Sequence, residues 1–204
     1  MQSGTVGRDR EALREALVCV VAEHGWAGTT VARVARVAGI PPARFYDSYR
    51  SLEECYGAAY DRMMSRVVRT AKRAVASRDL ALGQDAWERQ LDAILGAVLA
   101  FFALEPALAR ACLVEVHAVG PVGRGRRDAA LGSFASYLEG LHLTHGEPLP
   151  PLAAEMIALG TAELIRNRVA RGETDGLPDL LGDLRLLWQT TVEDHVPLAP
   201  TVAA

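Results

Sequence analysis

Apolar residues recur with the period of an α-helix along almost the whole chain. In residues 8–24 they form one stripe, made of Ala12, Leu13, Ala16, Leu17, Val20 and Val21. The stripe ends at Gly25, and a glycine commonly follows the last residue of a helix. No alternating strand pattern stands out elsewhere, so the pattern predicts an all-α protein.

Two short helices and one long helix are predicted to follow. Thr30 is a candidate N-cap for a second helix, which Gly39 ends. Pro42 suits the first turn of a third helix, which is predicted to continue to about residue 50. Ser51 and Glu54 form a capping box, which starts a fourth helix that runs to about residue 78.

The remainder of the chain keeps the helical period and is broken by glycine and proline. It predicts helices near residues 84–103, 106–119, 125–143, 150–171 and 177–195, which makes about nine in all. Charge divides the chain differently. Residues 1–50 carry a net charge of +2 and residues 51–204 a net charge of −5, within a total of −3. The change of sign favours two domains with different partners, residues 1–50 and residues 51–204.

The second and third predicted helices are joined by a turn at Gly39-Ile40-Pro41. Two short helices joined by a tight, glycine-containing turn are typical of a helix-turn-helix. In that motif the second helix of the pair lies in the major groove of DNA, while the helix before it crosses the backbone. The pattern therefore predicts a DNA-binding domain over residues 1–50.

A wider set of landmarks supports this interpretation. Residues 12–60, ALREALVCVVAEHGWAGTTVARVARVAGIPPARFYDSYRSLEECYGAAY, resemble the N-terminal domain of TetR-family transcription regulators. The similarity lies in the A-E-H-G end of the first helix, the T-T-V start of the second, the A-G-I turn, the F-Y dipeptide and the S-L-E-E start of the fourth. The resemblance implies a three-helix head followed by a helical domain that binds a ligand and forms a dimer.

The resemblance also implies roles for individual residues. Thr30 would cap the second helix and contact a phosphate, and Tyr46 would reach another. Ala43 and Arg44 would face base edges, and Arg44 can donate two hydrogen bonds to guanine. The full set of candidate DNA contacts is Thr30, Arg33, Arg36, Pro42, Ala43, Arg44, Tyr46, Asp47, Tyr49 and Arg50. Within it, Tyr49 shares a face with Phe45, four residues earlier, and that face is predicted to pack on the core.

Some positions depart from the pattern that is usual in the family. Pro41 and Pro42 stand where relatives usually have a small or polar residue and a lysine, and Leu52 stands where a lysine is common. Asp47 brings a negative charge towards the DNA. We therefore expect an operator unlike the familiar ones, with phosphate affinity carried mainly by arginines.

The helical pattern beyond residue 51 predicts a cavity for a small, apolar or aromatic effector. Candidate contacts are Trp87, Phe101, Phe102, Cys112, Glu115, His117, Phe134, Tyr137 and Met156. The last two helices resemble the dimer interface of the family, and one short recognition helix makes too few contacts to act alone. The predicted homodimer contacts are Met156, Leu159, Gly160, Glu163, Arg166, Asn167, Leu180, Leu184, Leu187, Trp188 and Thr191.

Other classes are less well supported by the sequence. It contains no H-E-x-x-H, G-x-S-x-G or glycine-rich phosphate-loop motif, so we expect no enzyme activity, no catalytic residue, no metal and no cofactor. The chain lacks a long uncharged apolar run and a secretory signal pattern, so we expect a cytoplasmic protein without a membrane partner. We expect a repressor of transcription. An activator, a ligand-independent regulator and a helical protein-interaction adaptor remain open.

Overall fold

The fold comes from a computed structural model, which describes residues 2–76, 86–143, 149–150 and 152–193. These residues form an all-α structure without strands, as the sequence predicts. Its helices are α1 (Gln2–His24), α2 (Val31–Ala38), α3 (Pro42–Phe45), α4 (Leu52–Ala76), α5 (Ala86–Leu104), α6 (Pro106–Ala109), α7 (Pro121–Leu143), α8 (Ala153–Ala170) and α9 (Leu181–Glu193).

Helices α1, α2 and α3 form a small head. Helix α2 packs on α1 and α3 packs on α2, because each helix turns an apolar stripe inward. Leu17, Val34 and Phe45 are fully buried where these stripes meet. Helices as short as α2 and α3 are not stable alone, so this packing is what holds them in place.

Helix α4 joins the head to the rest of the molecule. It packs on α1 in the head and on α5 and α7 in the body. One continuous apolar core runs from Leu13 in α1, through Tyr56 and Tyr60 in α4, to Trp188 in α9. The domain boundary predicted at residue 50 falls at the bend between α3 and α4, and it stays a prediction.

The segment predicted as one helix over residues 106–119 is irregular, so that prediction is wrong in detail. After α6 the backbone forms a π-helical turn at Arg110–Val114 and then a 3₁₀ turn at Glu115–His117. The Tyr56 hydroxyl donates a hydrogen bond to the carbonyl of Ala111 (2.7 Å), which gives one carbonyl in this turn a partner from α4.

Helices α7, α8 and α9 complete the body. Helix α7 starts at Pro121, earlier than the predicted residue 125, because a proline is favoured at the first helical position. Helix α8 packs on α7 and α9, and α9 also packs on α5. None of the described helices is by itself both long and apolar enough to cross a membrane.

Candidate nucleic-acid interface

The turn between α2 and α3 depends on Gly39. This residue has φ 68° and ψ 28°, in the left-handed region that glycine adopts without steric cost. Its N–H bonds to the carbonyls at the end of α2, and the Ile40 N–H bonds to the Ala35 carbonyl at 2.9 Å. Apart from its two chain neighbours, none of the described residues has an atom within 4 Å of where a Cβ would stand, so backbone conformation rather than crowding selects glycine here.

Helix α3 is a single turn. Pro41 precedes it, Pro42 is its first residue, and the Arg44 N–H bonds to the Pro41 carbonyl at 2.9 Å. The chain then turns back, because the N–H groups of Ser48 and Tyr49 both donate to the Phe45 carbonyl. The helix predicted to run to about residue 50 therefore ends at Phe45 and continues as a turn.

The aromatic residues after Pro42 divide between the core and the surface. Phe45 is 0% exposed and Tyr49 is 1% exposed, with ring centroids 5.9 Å apart. The Tyr49 hydroxyl donates to the Arg10 carbonyl at 3.2 Å, and the Arg10 guanidinium lies 4.7 Å from the Tyr49 ring centre. Burial is the main cause of the raised pKa of Tyr49. The packing predicted for Tyr49 is confirmed, and its inclusion among the DNA contacts is wrong.

Tyr46 instead lies on the surface, with 63% of its area exposed. Pro42, Ala43, Asp47 and Arg50 are exposed as well, which leaves this side of the head free of packing. Arg44 is half-exposed. Its Nη2 donates to a carboxylate oxygen of Asp9 in α1, a partner that the sequence pattern did not indicate.

Helix α2 carries the remaining candidate contacts. Thr30 is its N-cap, and its Oγ1 accepts a hydrogen bond from the Arg33 N–H at 3.2 Å. The Arg33 guanidinium donates to the Gly28 carbonyl in the loop before α2, at 2.5 Å. Arg36 is exposed. Neither Arg36 nor Arg50 makes an ion pair with any residue that the structure describes.

Glu115 connects the head to the body. One of its carboxylate oxygens accepts the Trp26 backbone N–H at 2.9 Å, and the other pairs with Arg110 at 3.1 Å. The Trp26 ring packs edge-on against Tyr56 of α4 at 5.5 Å. Both carboxylate oxygens therefore have partners within the protein, which gives Glu115 a structural role; its contact with an effector stays a prediction.

The other predicted effector contacts are dispersed over the part of the body that the structure describes. His117, Tyr137 and Met156 lie on the surface, and Cys112 is fully buried. Phe101 lies under the Arg66 guanidinium, Phe102 packs beside it, and Phe134 packs near Trp188. Of the predicted set, Trp87 lines an apolar cavity of about 10 Å³, together with Leu91, Leu138, Leu141, His142, Leu149, Ile157 and Trp188. Such a volume is about one water molecule.

Three of the predicted dimer contacts are also wrong. Leu180, Leu184 and Trp188 are at most 3% exposed because they face the chain's own core, where the Trp188 indole N–H donates to the Thr161 hydroxyl at 3.2 Å. Helices α8 and α9 pack closely at Gly160, where a Cβ would stand 3.5 Å from the half-buried Leu187.

The outer faces of α8 and α9 carry a different set. Met156 and Leu159 of α8 are 63% and 46% exposed, and Leu186 of α9, which the prediction missed, is 62% exposed. On α8, Arg166 binds Glu163 and the side-chain oxygen of Asn167. On α9, Thr191 is half-buried, and its hydroxyl donates to the Leu187 carbonyl. Leu186 lies two residues from both Leu184 and Trp188, which places it on the opposite face of the helix.

No protein-family model matches the chain, and no curated protein matches it significantly. Solved structures of TetR-type regulators do resemble it. The fatty acid degradation regulator FadR of Bacillus halodurans is 20% identical, with 88% of this chain and 94% of that chain aligned and a TM-score of 0.74.

Two further structures show the same similarity. The regulator FadR of Bacillus subtilis, crystallised with stearoyl-CoA, is 17% identical, with 89% and 98% of the two chains aligned and a TM-score of 0.73. A TetR family regulator of Marinobacter aquaeolei VT8 is 22% identical, with 94% and 98% aligned and a TM-score of 0.66. The chain therefore has the fold of the TetR-family regulators, as the sequence predicts.

Proposed function

We propose that this chain is a DNA-binding regulator of transcription, which inserts α3 into the major groove. The division of side chains along α3 and the turn that follows it, residues 42–50, carries this proposal. Phe45 and Tyr49 fix the segment from inside, while Tyr46 stays 63% exposed and Arg50 is exposed as well. A large aromatic residue and an arginine left on the surface of one segment suit contact with phosphates, to which both side chains can donate.

The regulator acts as a homodimer. The outer faces of α8 and α9 expose Met156, Leu159 and Leu186, and burying these side chains in a two-fold interface would favour association. A two-fold dimer places two recognition helices on half-sites about 34 Å apart or more, so the operator is a palindrome. The fold shared with TetR-type regulators supports this arrangement.

The regulator represses transcription and is released by a small apolar or aromatic effector. The cavity beside Trp87, His142 and Trp188 is apolar but holds only about 10 Å³, so an effector that enters it must separate α5, α7 and α9. The similar structure crystallised with stearoyl-CoA supports an apolar class of effector.

Such a displacement can reach the head by two routes. Helix α4 contacts α1 in the head and α5 and α7 in the body. Glu115 joins the π-helical region to the Trp26 backbone. An effector that binds better when these contacts are altered would lower DNA affinity by the difference between its two binding free energies.

Capture of sheared genomic DNA from the organism that carries this gene tests the proposal. The wild-type chain should enrich a few fragments that share a palindrome. Arg44→Ala should enrich these fragments less strongly and no longer prefer one guanine in each half-site, while it remains dimeric by sedimentation. Fragments without a shared sequence in the wild-type sample would refute sequence-specific binding.

A further inference from the structure

Arg44 of α3 pairs with Asp9 of α1, and Asp9 is not among the predicted DNA contacts. The two residues are 35 positions apart in sequence, and Nη2 of Arg44 donates to Oδ2 of Asp9. The Asp9 side chain is 16% exposed and that of Arg44 is 43% exposed. The carboxylate is thus largely covered by the head, while the guanidinium is presented outward.

The geometry points to Asp9 as a positioning residue, which holds the Arg44 guanidinium so that its free edge meets a guanine. This inference rests on the proposed DNA-binding function. A guanidinium has five N–H donors in a rigid planar fork. Asp9 accepts from one nitrogen, and Arg44 has no other side-chain hydrogen bond to the described residues. Two parallel donors therefore stay available for guanine O6 and N7.

The frame around the pair is fixed. Arg10, next to Asp9, stacks on Tyr49, and the Tyr49 hydroxyl donates to the Arg10 carbonyl. This turn of α1 is therefore tied to the chain that follows α3. Because α3 is one turn long and has no side-chain cap, little else restrains the direction of Arg44. An arginine side chain that is already oriented before binding loses less conformational entropy when it contacts DNA.

A double-mutant cycle tests this inference, with duplexes selected by the wild-type chain and derivatives in which each guanine is replaced. The base that Arg44 contacts is the guanine whose replacement weakens binding by the wild-type chain but not by the Arg44→Ala variant. Asp9→Asn should weaken binding of the selected duplex about five- to tenfold and reduce the preference for that guanine by the same factor. In the Arg44→Ala background, Asp9→Asn should change neither quantity.

Glu15→Gln is the matched control, because Glu15 is an exposed acid of α1 without an ion pair to the described residues. It removes the same charge and should leave the guanine preference unchanged. Removal of a negative charge from α1 is expected to strengthen DNA binding by itself. If Asp9→Asn strengthens binding as much as Glu15→Gln does, the positioning role is refuted. It is also refuted if Asp9→Asn changes the affinity equally in the wild-type and Arg44→Ala backgrounds.

Asp9→Glu provides a second measurement in case Asp9→Asn does not fold. It keeps the charge but moves the carboxylate by one methylene, and it should reduce the guanine preference while the melting temperature stays unchanged. An unchanged preference would refute the inference. A wild-type chain that selects no sequence would refute the proposed function itself, whereas normal selection that is insensitive to Asp9 would refute only this positioning role.

Discussion

Arg36 and Arg50 make the salt dependence of DNA binding a quantitative prediction. Both are exposed and lack ion pairs with the described residues, so both can contact phosphates without first losing a partner. Arg33 donates to the Gly28 carbonyl, and Arg44 is paired with Asp9. Arg36 and Arg50 are the arginines among the predicted phosphate contacts that have no ion pair to the described residues, so they set a minimum of two phosphate contacts per head.

In a dimer this minimum is four contacts, which gives a slope of about −3.6 for the logarithm of the association constant against the logarithm of salt concentration. If Arg33 also reaches a phosphate in each head, the slope becomes about −5.4. Between 50 and 200 mM salt the affinity should then fall by about 10² to 10³-fold. Specific base contacts change the affinity at each salt concentration but contribute little to this slope.

Fluorescence anisotropy of a labelled operator over that salt range measures the slope. Arg36→Ala removes two contacts from the dimer, so its slope should be shallower by about 1.8. Arg73→Ala is the control, because Arg73 is an exposed arginine about 30 Å along α4 from the head. A flat wild-type slope, or equal effects of Arg36→Ala and Arg73→Ala, would refute the assignment of phosphate contacts.

Three other predictions concern Tyr46, Glu115 and Leu186. Tyr46→Phe should weaken operator binding several-fold in anisotropy without lowering the melting temperature, because the lost hydroxyl is exposed; unchanged affinity would contradict this. Glu115→Ala leaves the Trp26 N–H without its partner and should destabilise the chain by about 1–3 kcal/mol in denaturant unfolding; an unchanged midpoint would contradict the role of Glu115. Leu186→Asp should shift the dimer towards monomer in sedimentation, whereas Leu104→Asp, at an exposed site on α5, should not; equal behaviour of the two variants would argue against the α8–α9 interface.

Most of the helical architecture could be predicted from periodicity. The apolar stripe of α1, the Thr30 cap and the Gly39 turn are local features, and each depends on a few adjacent residues. The irregular turns at Arg110–Val114 and Glu115–His117 could not be predicted in this way. Their partners, Tyr56 and Trp26, are distant in sequence, and periodicity contains no information about such contacts.

The candidate interface shows the same division. The burial of Phe45 and Tyr49 follows from their spacing of four residues, but the pairing of Arg44 with Asp9 depends on how α1 crosses α3. On α9, leucines occupy both faces of the helix. Periodicity groups Leu184 with Trp188, but it does not tell which face meets the chain's own core and which carries Leu186 to the surface.

Selection of bound duplexes from a random-sequence pool by this chain is the measurement that best distinguishes a dimeric, sequence-specific regulator from the alternatives. We expect a two-fold palindrome, with half-site centres about 34 Å or a longer whole number of helical turns apart. We also expect the Arg44→Ala chain to lose the preference for one guanine in each half-site. Recovery of no enriched sequence, or of a single motif without two-fold symmetry, would show that the chain does not bind DNA as a two-fold, sequence-specific dimer.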